Sequence, residues 1–182
     1  MKKTFLMILA IALFSAQCKG QVNYWNPLGE FPLLMETGKS SKDAKDSFSL
    51  QTVPDEFNML LINFFAPDCK PCIIEVPEFK KIHKTIQEKK NIKFVAIGSR
   101  LSSLSADNIT DADVIAPEIL QFKQAYKMDY PVHLARTSEL KDYGLTGFPE
   151  TFILVRNEKR QWIVKRRFLG MITEKDVNPF LK

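Results

Sequence analysis

Apolar and polar residues alternate along the chain in blocks that predict strands and helices in turn. The run Met59–Phe65 is apolar almost throughout, which is typical of a short strand that is covered on both faces. Pro67 ends this run, and residues 92–97 form a second run of the same kind. Between the two runs, apolar residues recur at the spacing of an amphipathic helix: Ile73, Val76, Phe79, Ile82 and Ile86. A strand, a helix and a strand in this order predict a right-handed crossover between parallel strands.

The second half of the chain continues the alternation after a long loop at residues 99–115. Residues 117–127 have a helical pattern, and residues 130–134 have the composition of a strand. A short helix is predicted over residues 138–143, and Gly144 is placed to end it. We therefore expect a further helix–strand–helix unit before the C-terminal elements.

The last quarter of the chain predicts an antiparallel hairpin followed by a helix. Residues 151–156 and 161–168 are strand-like and flank the polar turn 157–160. Thr173 begins the final helix, and Asp176 is spaced to complete a capping box. No internal repeat is visible.

The hairpin carries a run of basic residues. We interpret them as a solvated face, because surface lysine and arginine need no special explanation. Contact with anionic lipid or with an acidic partner is the alternative. The residues concerned are Arg156, Lys159, Arg160, Lys165, Arg166 and Arg167.

The N-terminus has the pattern of a secretory signal peptide over residues 1–20. Two lysines precede the apolar run 5–14, which is too short to span a bilayer as a typical helix. Cleavage before Cys18 would leave a cysteine ready for lipid attachment and membrane anchoring, whereas cleavage after Cys18 or Gly20 would release a soluble protein. The motif is imperfect for either reaction, and both remain open.

Composition agrees with one domain after this leader. The chain has 182 residues, of which 45% are apolar, enough for one hydrophobic core. Residues 21–50 are mixed in character and predict an N-terminal extension with one hairpin or edge strand, and residues 51–182 predict the domain itself. Removal of the leader takes away three lysines and no acidic residue, which lowers the net charge from +5 to +2. So small a charge excludes a nucleic-acid-binding surface of the usual kind.

Cys69 and Cys72 stand where the first strand gives way to the first helix. A helix N-terminus offers unpaired amide hydrogens and a positive dipole end, both of which stabilise a thiolate, the nucleophile of disulfide exchange. Cys69 comes first, so we predict it to be the more exposed, attacking sulfur, with Cys72 as the resolving thiol. A purely structural disulfide is a weak alternative, because so short a loop removes little chain entropy. A metal site is not predicted, since structural zinc needs four ligands and no second C-x-x-C is present.

Residues 61–72, LINFFAPDCKPC, resemble the active-site segment of the thioredoxin superfamily. The following Glu75-Val76-Pro77 resembles its membrane-anchored or periplasmic TlpA/ResA branch, and residues 147–152, GFPETF, resemble the loop that carries the family's cis-proline. The resemblance covers roughly residues 55–182. It implies an α/β thioredoxin-like fold, in which helices flank a central mixed β-sheet.

Roles follow from this resemblance residue by residue. Cys69 matches the nucleophile and Cys72 the resolving thiol, while Pro149 matches the cis-proline that faces the cysteines and binds substrate backbone. Phe148, before that proline, and Lys70-Pro71, between the cysteines, are the further substrate-binding positions that the resemblance implies.

Glu75 matches a buried acid that helps proton transfer in this branch, and Pro77 matches a proline that kinks the active-site helix. The neighbours of Glu75 are apolar, and a carboxyl group in such a setting has a raised pKa. Asn63 stands where cytoplasmic thioredoxin has a buried aspartate, which leaves Glu75 as the nearest candidate for that role. A surface glutamate is the alternative.

Two positions and one loop depart from the family pattern. Asp68 replaces the usual tryptophan before the first cysteine, and Phe148 replaces a residue that is usually small or β-branched. The loop 99–115 is longer than in the simplest members. These departures leave the fold intact and affect the choice of substrate and the redox poise.

The resemblance implies a protein thiol–disulfide oxidoreductase of the bacterial periplasm or envelope, soluble or lipid-anchored, that needs no cofactor beyond the Cys69–Cys72 disulfide. We predict a reductant of protein substrates, for example in cytochrome c maturation, that receives electrons from a membrane thiol donor. A disulfide-forming oxidase is the alternative, which Lys70-Pro71 disfavours. A copper-binding chaperone on a related fold is a weaker one, since that class has three residues between its cysteines and a histidine ligand.

Overall fold

The computed structural model describes residues 35–36, 50–100, 112–135, 140 and 144–181. The predicted signal peptide with Cys18, most of the 21–50 extension and most of the helix at 138–143 lie outside these ranges. The larger part of the predicted loop, residues 101–111, lies outside them too.

Six strands form one mixed sheet in the order β1-β4-β3-β2-β5-β6. The pairs β2–β3 and β3–β4 are parallel, whereas β1–β4, β2–β5 and β5–β6 are antiparallel. The mixed sheet and the C-terminal hairpin are therefore confirmed, and β1 is an edge strand. The strands are β1 (Met35–Glu36), β2 (Met59–Phe65), β3 (Ile92–Gly98), β4 (Val132–Leu134), β5 (Glu150–Arg156) and β6 (Trp162–Leu169).

Three α-helices are described: α1 (Lys70–Gln87), α2 (Ala112–Ala125) and α3 (Glu174–Val177), with 3-10 turns at Leu50–Thr52 and Asn178–Phe180. Helix α3 has the predicted capping box, in which the Thr173 N–H donates to Asp176 over 2.8 Å.

Helix α2 begins five residues before the predicted start at Pro117, so the end of the predicted loop is helical. The reason is burial. Ile115 is 1% exposed and continues the buried stripe of Ile119 and Phe122 across the proline.

The sheet separates two hydrophobic clusters. The first lies on the face of α1, α2 and α3, and it contains Leu61, Phe79 and Ile119. The second lies on the opposite face, where residues 50–57 cover Ile62 and Phe64. Successive residues of β2 thus enter different clusters, which is why the strand is apolar without alternation.

Residues 50–57 are held to the hairpin by side chains of β5 and β6. The Trp162 indole N–H donates to the Leu50 carbonyl over 3.1 Å, and Arg156 donates to the carbonyls of Val53 at 2.9 Å and Phe57 at 3.1 Å. Arg160 pairs with Asp55 at 2.8 Å. The N-terminal part of the domain is therefore anchored by the hairpin.

The expectation of a solvated basic face is wrong for two of its residues. The side chains of Arg156 and Arg167 are only 9% and 10% exposed, because each bonds to groups from another part of the chain. Lys159, Lys165 and Arg166 are exposed, as predicted.

Within the part of the chain that the structure describes, no helix is long and apolar enough to cross a membrane.

Candidate active site

The C-terminal end of strand β2 leads to the start of α1, at one end of the sheet. A tight turn follows Phe65, in which the Cys69 N–H donates to the Ala66 carbonyl over 3.2 Å. Cys69 is the N-cap of α1 and has extended backbone, and its Sγ accepts the Cys72 N–H over 3.2 Å. A disulfide joins the two cysteines, whose Cα atoms are 5.3 Å apart. The pair thus lies where the helix end favours a negative charge on Cys69.

The two cysteines are buried almost equally in this disulfide form, so the greater exposure of Cys69 stays a prediction for the dithiol form. The residues are 4% and 3% exposed, because both belong to the cluster that includes Val76 and Phe79. Position still separates them: Cys69 caps the helix, whereas Cys72 is inside its first turn. Lys70 and Pro71, between them, are exposed.

Glu75 lies one turn beyond Cys72 on α1 and is only 2% exposed, so the surface alternative is wrong. Its Oε1 accepts the Ile172 N–H over 2.6 Å. Burial raises the pKa of Glu75 to about 8, although the hydrogen bonds from Ile172 and Asn63 act in the opposite direction. The carboxyl group is therefore mostly protonated near neutral pH.

Asn63 and Tyr130 surround this acid. Asn63, in β2, is 3% exposed and donates its amide N–H to the Thr151 hydroxyl over 3.0 Å. Tyr130 is also buried, and its pKa is raised first by that burial and then by the nearby charges of Glu75 and Asp129. The sequence pointed to Asn63 through its resemblance to the aspartate position, whereas nothing in the pattern pointed to Tyr130.

The Phe148–Pro149 peptide bond is cis, as the resemblance implies. Since Glu150 pairs with Phe64 in β5 and β2, Pro149 lies level with the end of the strand that leads to the cysteines. Phe148 is partly buried and packs against the cluster that contains Cys69 and Cys72. The structure thus brings Lys70, Pro71, Phe148 and Pro149 to the end of the sheet where the disulfide lies.

The segment after β6 links the cis-proline to the buried acid. The Gly170 N–H donates to the Pro149 carbonyl over 3.0 Å, and two residues later the Ile172 N–H bonds Glu75. Gly170 has φ of 84°, which favours glycine at this position. One short piece of backbone therefore contacts both candidate groups.

Exposed apolar side chains flank this end of the sheet. Leu169 is 68% exposed, Ile74 58% and Met171 54%. Ile74 follows the cysteines on α1, and Leu169 and Met171 border Gly170. The sequence analysis did not predict that these three residues are exposed. For Ile74 a signal was present, because this residue falls outside the apolar stripe of the helix. We call these three residues the apolar rim.

The two histidines, His83 and His133, are both 8% exposed. His83 lies beside the rings of Phe94 and Tyr130, and burial lowers its pKa. In the described ranges, no three histidine, cysteine or acidic side chains are close enough together to hold a metal ion.

Comparison with known proteins gives relatives of one kind. No family model matches the chain. The thioredoxin-like protein YneN of Bacillus subtilis is 27% identical over 150 residues, which cover 78% of this chain and 79% of YneN. The thiol-disulfide oxidoreductase ResA of Geobacillus thermodenitrificans is 23% identical over 68% of this chain, a match that spans 61% of ResA, less than two thirds of its length.

Solved structures show the same fold. The crystal structure of StoA from Bacillus subtilis superposes with a TM-score of 0.59 and 22% identity, and the match covers 85% of this chain and 98% of StoA. A thiol-disulfide oxidoreductase from Bacteroides fragilis superposes with a TM-score of 0.61 and 17% identity, over 86% of this chain and all of that one. The thioredoxin-like fold is therefore confirmed.

Glu75→Gln should change how stability depends on pH. Between about pH 5 and pH 8 the folded protein keeps a proton on Glu75 that the unfolded chain has released, so a rise in pH favours unfolding. This effect reaches at most about 1.4 kcal/mol per pH unit. The free energy of unfolding of the wild type, relative to Glu75→Gln, should therefore fall across this range in urea titrations.

The matched control is Glu88→Gln, since Glu88 is an exposed glutamate just beyond the end of the same helix. Its stability curve should run parallel to that of the wild type. Parallel curves for Glu75→Gln as well would contradict a raised pKa for Glu75.

Proposed function

We propose that this chain, a TlpA/ResA-like member of the thioredoxin superfamily and a protein thiol–disulfide oxidoreductase, reduces protein disulfides outside the cytoplasm. The observation that carries the proposal is the Cys69–Cys72 disulfide at the N-terminus of α1, level with the cis Phe148–Pro149 bond. A reactive pair beside a backbone-binding loop is suited to a substrate that is itself a polypeptide.

The reaction begins with the dithiol form. The Cys69 thiolate attacks one sulfur of a substrate disulfide, and the other substrate sulfur leaves as a thiolate and takes a proton. Cys72 loses its proton and attacks Cys69 in the mixed disulfide, which releases the second substrate thiol and leaves the Cys69–Cys72 disulfide. Two electrons have then passed to the substrate, and a thiol donor, which we place in the membrane, restores the dithiol.

Glu75 is suited to handle the proton of Cys72 in this sequence. It lies three residues after Cys72 on α1, so the two side chains are neighbours on one helix face. A buried carboxyl group that titrates near neutral pH can take up a proton and release it at the working pH. Glu75 therefore acts as the proton acceptor when Cys72 attacks in the fraction of molecules in which its carboxyl group is ionised, and this fraction grows as the pH rises toward 8.

The substrate is bound beside the disulfide by Phe148, Pro149 and the exposed residues Lys70 and Pro71. The apolar rim extends this surface on both sides of Gly170 and along α1. Exposed apolar groups of this size favour contact with another polypeptide over contact with a small polar thiol. Thiols or disulfides of an apocytochrome c before haem attachment are substrates of the expected kind.

The start of α1 favours a reductant over an oxidase. An N-cap side chain accepts hydrogen bonds from the second and third residues of the helix. Here the second residue is Pro71, which has no N–H, so of these two bonds Cys69 receives the one from Cys72. A thiolate that is stabilised less makes the dithiol less stable and the pair more reducing.

Charges around Cys69 have a smaller effect. Asp68 directly precedes it and opposes a second negative charge, but Arg100 interacts with Asp68 and reduces this effect. Arg100 is itself paired with Glu118, to which its Nε donates over 2.7 Å. We therefore assign most of the reducing character to Pro71.

Location outside the cytoplasm is supported by the signal-like residues 1–20. Cys18 is the residue that would carry a lipid, if cleavage occurs before it. Metabolic labelling of cells with a radioactive fatty acid distinguishes the two forms, since only the lipidated one retains label, and Cys18→Ala abolishes it.

Cysteine variants test the division of labour in cells. Cys72→Ser should accumulate mixed disulfides with substrates, because Cys69 still attacks and no resolving thiol remains. Cys69→Ser should accumulate none. Non-reducing gels followed by identification of the trapped partners measure both variants, and trapping by Cys69→Ser alone would reverse the assignment.

The reduction potential separates a reductant from an oxidase. Equilibration with glutathione should give the wild type a potential well below the roughly −120 mV of a strong oxidant. Pro71→His, which restores the missing N–H, should raise the potential, and Asp68→Asn should raise it less. A wild-type value in the oxidant range, or equal potentials for all three proteins, is the result that sinks this explanation.

A further inference from the structure

A single arginine holds the loop that carries the cis-proline. Arg167, in β6, donates through Nη2 to the Gly144 carbonyl over 3.0 Å and to the Thr146 hydroxyl over 3.3 Å. Its Nε forms an ion pair with the carboxylate of Glu150, the residue after the proline. One guanidinium therefore contacts the first residue of segment 144–150, its last residue and one between them.

Glu150 closes this arrangement from within the segment. Its Oε2 accepts the Thr146 N–H over 3.1 Å, while the carboxylate also pairs with Arg167. Glu150 is 1% exposed and the Arg167 side chain 10% exposed. A buried carboxylate of this kind needs a partner, and a buried arginine that satisfies it is fixed in position by the same contacts.

The Arg167–Glu150 ion pair lies on the face of the sheet opposite α1. Arg167 is opposite Phe152 in the ladder of β5 and β6, and Glu150 is two residues from Phe152, so all three share a face. Phe152 belongs to the cluster of Ile62 and Phe64, whereas both cysteines belong to the other cluster. The Arg167 guanidinium lies 5.4 Å from the centre of the Phe152 ring. The contacts of Arg167 with the loop thus lie on the face of the sheet opposite the cluster that contains the disulfide.

We propose that Arg167 is a positioning residue for substrate binding, which holds Phe148 and Pro149 beside the disulfide through its pair with Glu150. The proposal rests on the proposed function, because it assumes that these two residues bind the substrate. The planar fork of arginine bonds several acceptors at fixed angles, whereas lysine supplies a single point charge. Lysine at this position would keep the charge and lose the shape.

The test compares Arg167→Lys with Arg166→Lys, a matched control at the neighbouring exposed arginine. Hydrogen exchange reads the loop directly: a peptide that covers residues 144–150 should exchange about tenfold faster in Arg167→Lys, while one from β2 is unchanged. The rate constant for reduction of insulin disulfides should fall about tenfold, because the substrate is held less well. Reduction of the Cys69–Cys72 disulfide by dithiothreitol, which does not need the loop, should stay within about twofold.

Exchange in the loop that equals that of the wild type would overturn the proposal, and so would an equal loss of rate with insulin and with dithiothreitol. A wild type that does not reduce insulin contradicts the proposed function instead, and hydrogen exchange then still decides whether Arg167 holds the loop. If Arg167→Lys does not fold, the double variant Glu150→Gln, Arg167→Met takes its place, because it leaves no buried charge unpaired. The same results are expected from it.

Discussion

Helix α1 begins immediately beyond the buried strand β2, and its first two turns are packed against the sheet. Cys69, Cys72 and Glu75 are therefore all less than 5% exposed, although each has a form that carries charge. Burial of a charged group costs free energy. The Cys72 N–H at the helix end offsets this cost for Cys69, and the Ile172 N–H offsets part of it for Glu75. For Glu75 the offset is incomplete, since its pKa remains raised, so the burial of α1 sets the proton affinity of this acid.

One buried glutamate lies on each face of the sheet, and the two have different partners. On the face of α1, Glu75 has hydrogen bonds from Ile172 and Asn63, and no cation among the described residues pairs with it, so it keeps its proton. On the other face, Glu150 pairs with Arg167 and is locked into the cis-proline loop. The first arrangement allows a proton to move, and the second restricts the loop to one position. The segment after β6 bonds Pro149 and Glu75, so the residues that we propose for substrate binding and for proton transfer share one piece of backbone.

The sequence was sufficient to predict what depends on local pattern. The apolar run of β2, the helical spacing of α1 and the capping box of Thr173 all appeared where expected, and apolar neighbours correctly indicated the burial of Glu75. Long-range partners were not predictable in this way. In the sequence, Arg167 does not differ from the other basic residues of the hairpin, and only the fold shows that it pairs with Glu150. Leu169 and Met171 look like core residues, and only the end of the sheet leaves them at the surface.

The coupling of Glu75 to the cysteine pair is the central claim, and NMR of a carboxyl-labelled protein tests it most directly. The carboxyl carbon of Glu75 should titrate near pH 8 in the disulfide form. Its midpoint should move upward when the pair is reduced, because a neighbouring thiolate opposes a second negative charge. A midpoint near the ordinary 4.5 of a glutamate, or the same midpoint in the disulfide and dithiol forms, would contradict the account.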